Sequence, residues 1–167
     1  QKDAYFRTMR NHGMTDRDTC VSWGYNSRLD TIQAVVARHV LNGIEHTTEK
    51  RRKNGAILDI LLQDINEIKL VLEPEGSYSN RYLYSLHAKR RDALQKFLLN
   101  FGVDAKIHYP TSLHLQPAAK SLGYNRGDFP IAEWCADTTI SLPVHEWITE
   151  EQLQRMASLV RQFYETI

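Results

Sequence analysis

Two histidines and a tyrosine lie close together in the segment IHYPTSLHLQP, at His108, Tyr109 and His114. Histidines so near each other can bind a metal ion, act as an acid and a base, or take hydrogen-bonding roles in an ordinary turn. A catalytic zinc ion normally takes three protein ligands, and no third histidine, cysteine or carboxylate stands at a suitable spacing, the nearest acid being Asp104. We therefore expect no metal site, whereas substrate hydrogen bonding by a histidine and a purely structural role both stay open.

The segment WGYNSRLD holds a second set of polar groups, with Asn26 and Arg28 ahead of a run whose apolar spacing is helical. The free N–H groups at a helix start, together with a guanidinium and a side-chain amide, form a good phosphate site. The alternative is that Asn26 only caps the helix while Arg28 is solvated. The sequence contains no P-loop, GxGxxG or GxSxG motif, so nothing in it favours a P-loop, dinucleotide-binding or serine-hydrolase site.

Helical spacing of apolar residues predicts the elements that must position these groups. The predicted helices are residues 1–10, 29–44, 46–65, 91–102, 129–138 and 149–167. The second helix is expected to begin at an N-cap formed by Asn26 or Ser27, and Gly43 marks a kink near its end. Thr149 and Gln152 form the capping-box pattern at the start of the last helix.

Short strands alternate with the later helices. Residues 66–74 and 81–88 have strand-like patterns and are predicted to pair antiparallel, and residues 139–143 form another short strand. A further strand over residues 104–109 ends at Pro110, which cannot donate a sheet hydrogen bond. The histidine segment is therefore predicted to be the loop that leaves a strand, a common place for functional side chains.

Composition excludes several classes of protein. The 167 residues are 42% hydrophobic and 25% charged, which is typical of a globular domain, and the net charge of +1 argues against nucleic-acid or membrane partners. The basic runs at residues 49–53 and 88–96 are interpreted as solvated faces. Cys20 and Cys135 form no CxxC or Cys/His pattern, which fits a reducing cytoplasm. The chain opens on Gln1 inside a predicted helix, so we expect it to be a piece of a longer protein.

A series of motifs extends over nearly the whole chain in one order. They are RNHGM (10–14), GYNSRLDTIQA (24–34), RRDALQKFL (90–98), HYPTSLHLQPAAKSLGY (108–124), GDFPIAE (127–133) and ISLPVHEWITEEQ (140–152). In this order the motifs resemble those of the DegT/DnrJ/StrS family, the pyridoxal-phosphate (PLP) sugar-nucleotide aminotransferases of fold-type I.

The resemblance implies an α+β fold that is the C-terminal portion of such an enzyme. Residues 1–65 would be the tail of the large domain with long connecting helices, and residues 66–167 the small C-terminal α+β domain. The large PLP-binding domain would be missing, and with it the lysine that forms the Schiff base in a Ser-x-x-x-x-Lys segment. No lysine in this chain follows a serine at that spacing, so we expect no catalytic residue in it, no activity and no PLP binding by the chain alone.

The resemblance also implies roles for the two polar segments. Asn26 would reach across a homodimer interface to the PLP phosphate of the partner subunit, with Arg28 near the same phosphate or that of the substrate. Substrate binding would fall to His108, Tyr109 and His114. Of these, Tyr109 and His114 would line the sugar-nucleotide pocket, His114 would lie nearest the reacting sugar, and His108 would support the loop.

The implied reaction transfers an amino group, usually from glutamate, to a nucleotide-linked keto sugar for polysaccharide, lipopolysaccharide or antibiotic synthesis in the cytoplasm. The alternative is a free-standing, non-catalytic module for sugar-nucleotide binding or dimerisation.

Two further residues stand out in the resemblance. His12 is typical of the family, but the resemblance assigns it no role. Tyr82 replaces the second histidine of an H-x-Y-H-L-Y segment found in many relatives, so the contacts that select the sugar are expected to differ here.

Overall fold

The computed structural model describes residues 2–166. The described residues form two compact units, which divide between residues 44 and 45. The first unit contains helix α1 (Lys2–Met9) and helix α2 (Thr31–Leu41), joined by a long loop. The second unit contains most of helix α3 (Ile44–Leu62) and all the elements that follow. No helix in the described part of the chain combines the length and the apolar character needed to cross a membrane.

The loop of the first unit folds back on itself through close backbone contacts. Asn11 and Asn26 form an isolated antiparallel bridge. A Cβ atom added to Gly13, which has a φ of +78°, would lie 1.7 Å from the carbonyl oxygen of Ser22. A Cβ atom on Gly24 would lie 2.3 Å from the backbone nitrogen of Gly13. A side chain at either position would clash with the backbone of the loop. Both glycines are therefore required for the close approach of backbone segments beside Asn26.

Helix α2 begins later than the sequence predicted. Its N-cap is Asp30, and the Oε1 atom of Gln33 accepts a hydrogen bond from the Asp30 N–H at 3.2 Å. The prediction of Asn26 or Ser27 as the N-cap was wrong, because the backbone of Asn26 pairs with Asn11 and the chain reaches its helical conformation only after Asp30.

The second unit is a three-stranded antiparallel sheet with helices against it. Its strands are β1 (Ile68–Leu70), β2 (Tyr84–Ala88) and β3 (Thr139–Leu142), in the spatial order β1-β2-β3. Its further helices are α4 (Arg91–Asn100), α5 (Pro130–Thr138) and α6 (Glu150–Glu165), with two short 3-10 turns at Leu113–Leu115 and Pro117–Leu122. This mixture confirms the predicted α+β class and the antiparallel pairing of the first two strands.

The alternation along β2 separates an apolar face from a polar one. Tyr84, Leu86 and Ala88 are buried in the core, whereas Ser85 and His87 point to the other face. The core residues contributed by helices α3, α4 and α6 include Leu58, Leu62, Leu94, Leu98, Leu153, Val160 and Phe163. The polar face is the one that meets the histidine segment.

Of two further predictions, the structure confirms the capping box of α6 and shortens the strand predicted over residues 104–109. The capping box of α6 is confirmed: Gln152 N–H donates to Thr149 Oγ1 at 3.3 Å, and Thr149 N–H donates to Gln152 Oε1 at 3.0 Å. The predicted strand over 104–109 is reduced to one bridge, between Lys106 and Ser141. The Ala105 N–H turns back to the Val103 carbonyl at 2.9 Å, so it is not available to extend the ladder.

The predicted domain boundary at residue 65 stays a prediction, and the compact units of the structure divide at a different place. Leu58 and Leu62 of α3 are fully buried in the same core cluster as the strands. Helix α3 therefore packs with the sheet, and the division falls between residues 44 and 45.

Candidate functional site

His108 is tied to the polar face of the sheet through two serines. Its Nδ1 atom lies 3.3 Å from the Oγ atom of Ser141, and that Oγ atom lies 2.9 Å from the Oγ atom of Ser85. Ser141 is only 3% exposed, and its backbone also forms both hydrogen bonds of the bridge to Lys106. The entry to the histidine segment is thus fixed by side-chain and backbone contacts to one residue of β3.

His114 is held from the other side by Glu133 of α5. The Nε2 atom of His114 lies 2.9 Å from the Oε1 atom of Glu133, and both side chains are 8% exposed. A carboxylate only accepts hydrogen bonds, so Nε2 carries the proton of this bond. The ring also packs against Phe129, with 4.8 Å between ring centroids.

The carboxylate of Glu133 has further partners in the same loop. The Gly127 N–H donates to its Oε1 atom at 2.7 Å, and the guanidinium of Arg126 lies 4.0 Å from its Oε2 atom. The Gly127 hydrogen bond, and to a smaller extent that of His114, hold the pKa of Glu133 below its ordinary value against the opposing effect of burial. The charged form of Glu133 is therefore the one that joins residues 114 and 127 to α5.

Two cavities lie along the histidine segment. The larger, of about 570 Å³, is lined in part by His108 and Tyr109, and the smaller, of about 390 Å³, by His114. The walls of both include Leu113 and Ala132. The structure thus places His108 and Tyr109 in one cavity and His114 in the neighbouring one. Tyr109 is 75% exposed, so its ring and hydroxyl are free to meet a ligand.

Sequence reasoning missed two residues of this site. Ser112 lies between the predicted residues and forms part of the wall of the larger cavity, yet nothing in its spacing distinguishes it. Glu133 stands in a quoted motif without a role, although a signal was available. It is a carboxylate three residues before Ala136, and both are on the buried side of α5. A charge on a buried helix face needs a partner, and here that partner is His114.

Asn26 and Arg28 contact each other in the first unit. The Nε atom of Arg28 donates to the Oδ1 atom of Asn26 at 3.2 Å, and both residues are exposed. This bond occupies the acceptor of the amide and leaves its N–H donors beside a guanidinium, a donor set that fits a phosphate. The pair precedes α2 instead of forming its first turn, so the N–H groups at the helix start are not part of this arrangement. The N–H of His12 donates to the Tyr25 carbonyl at 2.9 Å in the same loop.

The model of the DegT/DnrJ/EryC1/StrS aminotransferase family matches residues 1–161. The chain belongs to this family. It is 37% identical to a pleiotropic regulatory protein of Geobacillus stearothermophilus over 160 residues, which are 95% of this chain and 43% of the relative. It is 30% identical to the dTDP-3-amino-3,4,6-trideoxy-alpha-D-glucose transaminase of Streptomyces venezuelae, over 96% of this chain and 42% of the relative.

A solved structure of DesV from S. venezuelae, in complex with a ketimine intermediate, superposes on the chain with a TM-score of 0.91. The match covers 96% of this chain and 43% of DesV at 30% identity. The predicted fold, a part of a fold-type I sugar aminotransferase, is thereby confirmed. The chain spans about 43% of the length of the relatives it matches.

The described residues at this site include neither a cluster of metal-binding side chains nor a lysine in the wall of the larger cavity. Residues 2–166 contain no group of three or more histidine, cysteine, aspartate or glutamate side chains that could hold a metal ion. The described wall of the larger cavity contains no lysine. What this segment offers a ligand is therefore hydrogen bonding and shape.

Proposed function

We propose that the protein carrying this chain transfers an amino group, from a donor such as glutamate, to the keto group of a nucleotide-linked sugar. Membership of the sugar aminotransferase family is the observation that carries the proposal. The names of relatives support the substrate class, since one is a dTDP-sugar transaminase and another a UDP-N-acetyl-3-dehydro-alpha-D-glucosamine 3-aminotransferase. The product would serve polysaccharide, lipopolysaccharide or antibiotic sugar synthesis in the cytoplasm.

Pyridoxal phosphate is the cofactor of this family, and one solved neighbour, Spr1654 of Streptococcus pneumoniae, is known in PLP and PMP forms. The cofactor acts as an electron sink for the carbon that gains or loses the amino group. We propose that Asn26 and Arg28 bind its phosphate in the partner subunit of a homodimer. Their adjacent amide and guanidinium supply donors of the kind a phosphate accepts.

The substrate side of the proposal rests on the histidine segment. Tyr109 presents an exposed ring and hydroxyl to the larger cavity, and His108 is oriented there by Ser141. His114 keeps Nε2 bonded to Glu133, which leaves Nδ1 as the ring atom available to a ligand. These three residues would bind and orient the sugar so that its keto carbon meets the amino group.

We also propose that the lysine that binds the cofactor is not in this chain. None of the eight lysines follows a serine after four intervening residues. The chain alone would then position substrate and cofactor phosphate without being able to bind the cofactor covalently, and it would have no transaminase activity.

Two measurements test the proposal. The full-length protein, given PLP, isotope-labelled glutamate and a nucleotide-linked keto sugar, should transfer the label to the sugar, as read by mass spectrometry. Absence of transfer to all keto sugars of the dTDP and UDP classes would contradict it. The 167-residue chain, treated with PLP and borohydride, should form no stoichiometric adduct, and such an adduct at one lysine would show that the chain contains the cofactor lysine.

A further inference from the structure

Ser112 carries a buried hydroxyl without a protein partner. The residue is 7% exposed, and its Oγ atom is the one buried side-chain nitrogen or oxygen in the described part of the chain that makes no hydrogen bond. An unsatisfied buried polar group costs about 1–3 kcal/mol, so folded proteins rarely keep one without a reason. The position of Ser112 in the wall of the larger cavity indicates what the reason is.

We propose that Ser112 is a substrate-binding residue whose hydroxyl forms a hydrogen bond with an oxygen atom of the sugar in the cavity lined by His108 and Tyr109. The inference rests on the proposed function, because it assigns part of the same sugar site. It adds a contact that selects among sugars: a sugar that lacks the oxygen leaves the hydroxyl unpaired and binds more weakly.

The place of Ser112 in the loop supports this contact. Ser112 lies in the wall of the cavity, at the turn between the segment fixed by His108 and that fixed by His114. A serine hydroxyl reaches three staggered positions by rotation about a single bond. Because the neighbouring loop is fixed by the contacts of His108 to Ser141 and of His114 to Glu133, the backbone of Ser112 is placed before a ligand arrives. In the proposed contact, rotation of this one side chain turns the Oγ atom towards the sugar, and the loop keeps its position.

The chemistry of the wall points to the sugar ring and not to the phosphates. The described wall contains no lysine, arginine, aspartate or glutamate, and its other members include Pro110, Leu113, Ala132 and Ala136. A phosphate prefers the permanent positive charge of lysine or arginine, which the described wall does not supply, since its polar side chains are those of His108, Tyr109, Thr111, Ser112, Gln116, Cys135 and Thr139. A sugar presents apolar C–H faces together with hydroxyl or keto oxygens, and a serine can donate to either.

A second buried serine provides the contrast. Ser141 is even less exposed than Ser112, but its hydroxyl is bonded to Ser85 and His108. Loss of the Ser141 hydroxyl should destabilise the free protein, because both partners then lose a hydrogen bond. Loss of the Ser112 hydroxyl should not destabilise the free protein, because this hydroxyl makes no hydrogen bond to the protein.

The experiment compares three variants of the full-length protein: Ser112→Ala, Ser141→Ala and, as a control, Ser121→Ala, which changes an exposed serine outside the larger cavity. Thermal unfolding is measured without ligand, and binding is measured by titration with dTDP-glucose and UDP-N-acetylglucosamine. Ser112→Ala should unfold at the same or a higher temperature and bind the better probe about threefold to tenfold more weakly, the range expected for one hydrogen bond. Ser141→Ala should unfold at a lower temperature, and Ser121→Ala should match the unaltered protein in both measurements.

Each remaining outcome counts against the inference. Unchanged affinity in Ser112→Ala would overturn it and leave the proposed function intact, as long as the unaltered protein binds a probe. A lower unfolding temperature for Ser112→Ala would show that the hydroxyl is already satisfied in the free protein, which also overturns it. Failure of the unaltered protein to bind either probe would overturn the inference, whereas only the absence of amino transfer to keto sugars would overturn the proposed function.

Discussion

The Nε2 atom of His114 lies 2.9 Å from the Oε1 atom of Glu133, and neither side chain is more than 8% exposed. The imidazole that the resemblance places nearest the reacting sugar is thus held by a carboxylate on a different element. Glu133 also accepts a hydrogen bond from the Gly127 N–H, so one side chain anchors both the first 3-10 turn, through His114, and the loop beyond the second. In physical terms, Glu133 is a positioning residue for His114.

The first prediction concerns this anchor. Glu133→Gln keeps the size of the side chain and one acceptor oxygen but removes the charge that strengthens both hydrogen bonds. We expect a lower unfolding temperature for Glu133→Gln and a larger drop for Glu133→Ala, which loses the acceptor as well. Thermal unfolding followed by circular dichroism measures both. Glu75→Gln, at an exposed loop position, is the control and should leave the midpoint unchanged.

The positioning role has a second readout. If Glu133 acts on the sugar site through His114, Glu133→Gln should raise the dissociation constant for a nucleotide sugar in the full-length protein at a temperature where the variant is fully folded. If the unfolding temperature falls while the affinity for the sugar stays constant, Glu133 has a structural role and does not position His114 for the sugar.

The pH dependence of stability follows from the same carboxylate. Its pKa is lower in the folded protein than in the unfolded chain, where a glutamate titrates near pH 4.3. The folded state therefore binds fewer protons, and Glu133 contributes stability that is fully present above about pH 5 and is lost as the pH falls through its lowered folded pKa. The difference in unfolding temperature between the unaltered protein and Glu133→Gln should shrink between about pH 5 and pH 3. A difference that is constant over this range would contradict the assignment of the charged form.

Local sequence patterns predicted the helices and strands well, but they did not predict the contacts that residues distant in sequence make with one another. The capping box of Thr149 and Gln152 involves residues three apart, and it forms as predicted. The N-cap of α2 was misplaced because the backbone of Asn26 is drawn into a bridge with Asn11, a contact that no local pattern encodes. Similarly, the partner of His114 is nineteen residues away on α5, so spacing within the histidine segment could not reveal it.

A further prediction tests where the second unit begins. Leu62 is fully buried in the core cluster, whereas Ile60 of the same helix is exposed. Leu62→Ala should lower the free energy of unfolding by about 2–5 kcal/mol, the range for deleting a large buried side chain. Ile60→Ala should change it by less than about 1 kcal/mol. Urea unfolding measures both, and equal effects would show that α3 does not belong to the same core as the sheet.

Arg28 provides a prediction for the cofactor. Arg28 is exposed, and among the described residues its side chain hydrogen-bonds to Asn26 alone, so its removal should have little effect on folding. If the pair binds the PLP phosphate, Arg28→Ala should weaken PLP binding to the full-length protein about tenfold, the lower end for a charged hydrogen bond. Absorbance titration with PLP measures this. Arg17→Ala, at an exposed position in the same loop, should bind PLP like the unaltered protein.

The last prediction concerns the apolar stripe of α2, formed by Ile32, Val36 and Val40. The spacing of four residues places these side chains on one face of the helix, and all three are exposed in the single chain, Val36 by 59%. Contiguous exposed apolar surface of this kind marks an interaction site, and we expect a second copy of the chain to cover it. Sedimentation velocity at micromolar concentration should therefore detect a dimer.

Two variants test whether the stripe is the contact. Val36→Glu, which places a charge in the middle of the stripe, should shift the protein to monomer, whereas Arg38→Glu, on the opposite side of the helix, should not. A strict monomer for the unaltered chain would contradict the pairing, and dissociation by Arg38→Glu alone would place the contact on another face of α2.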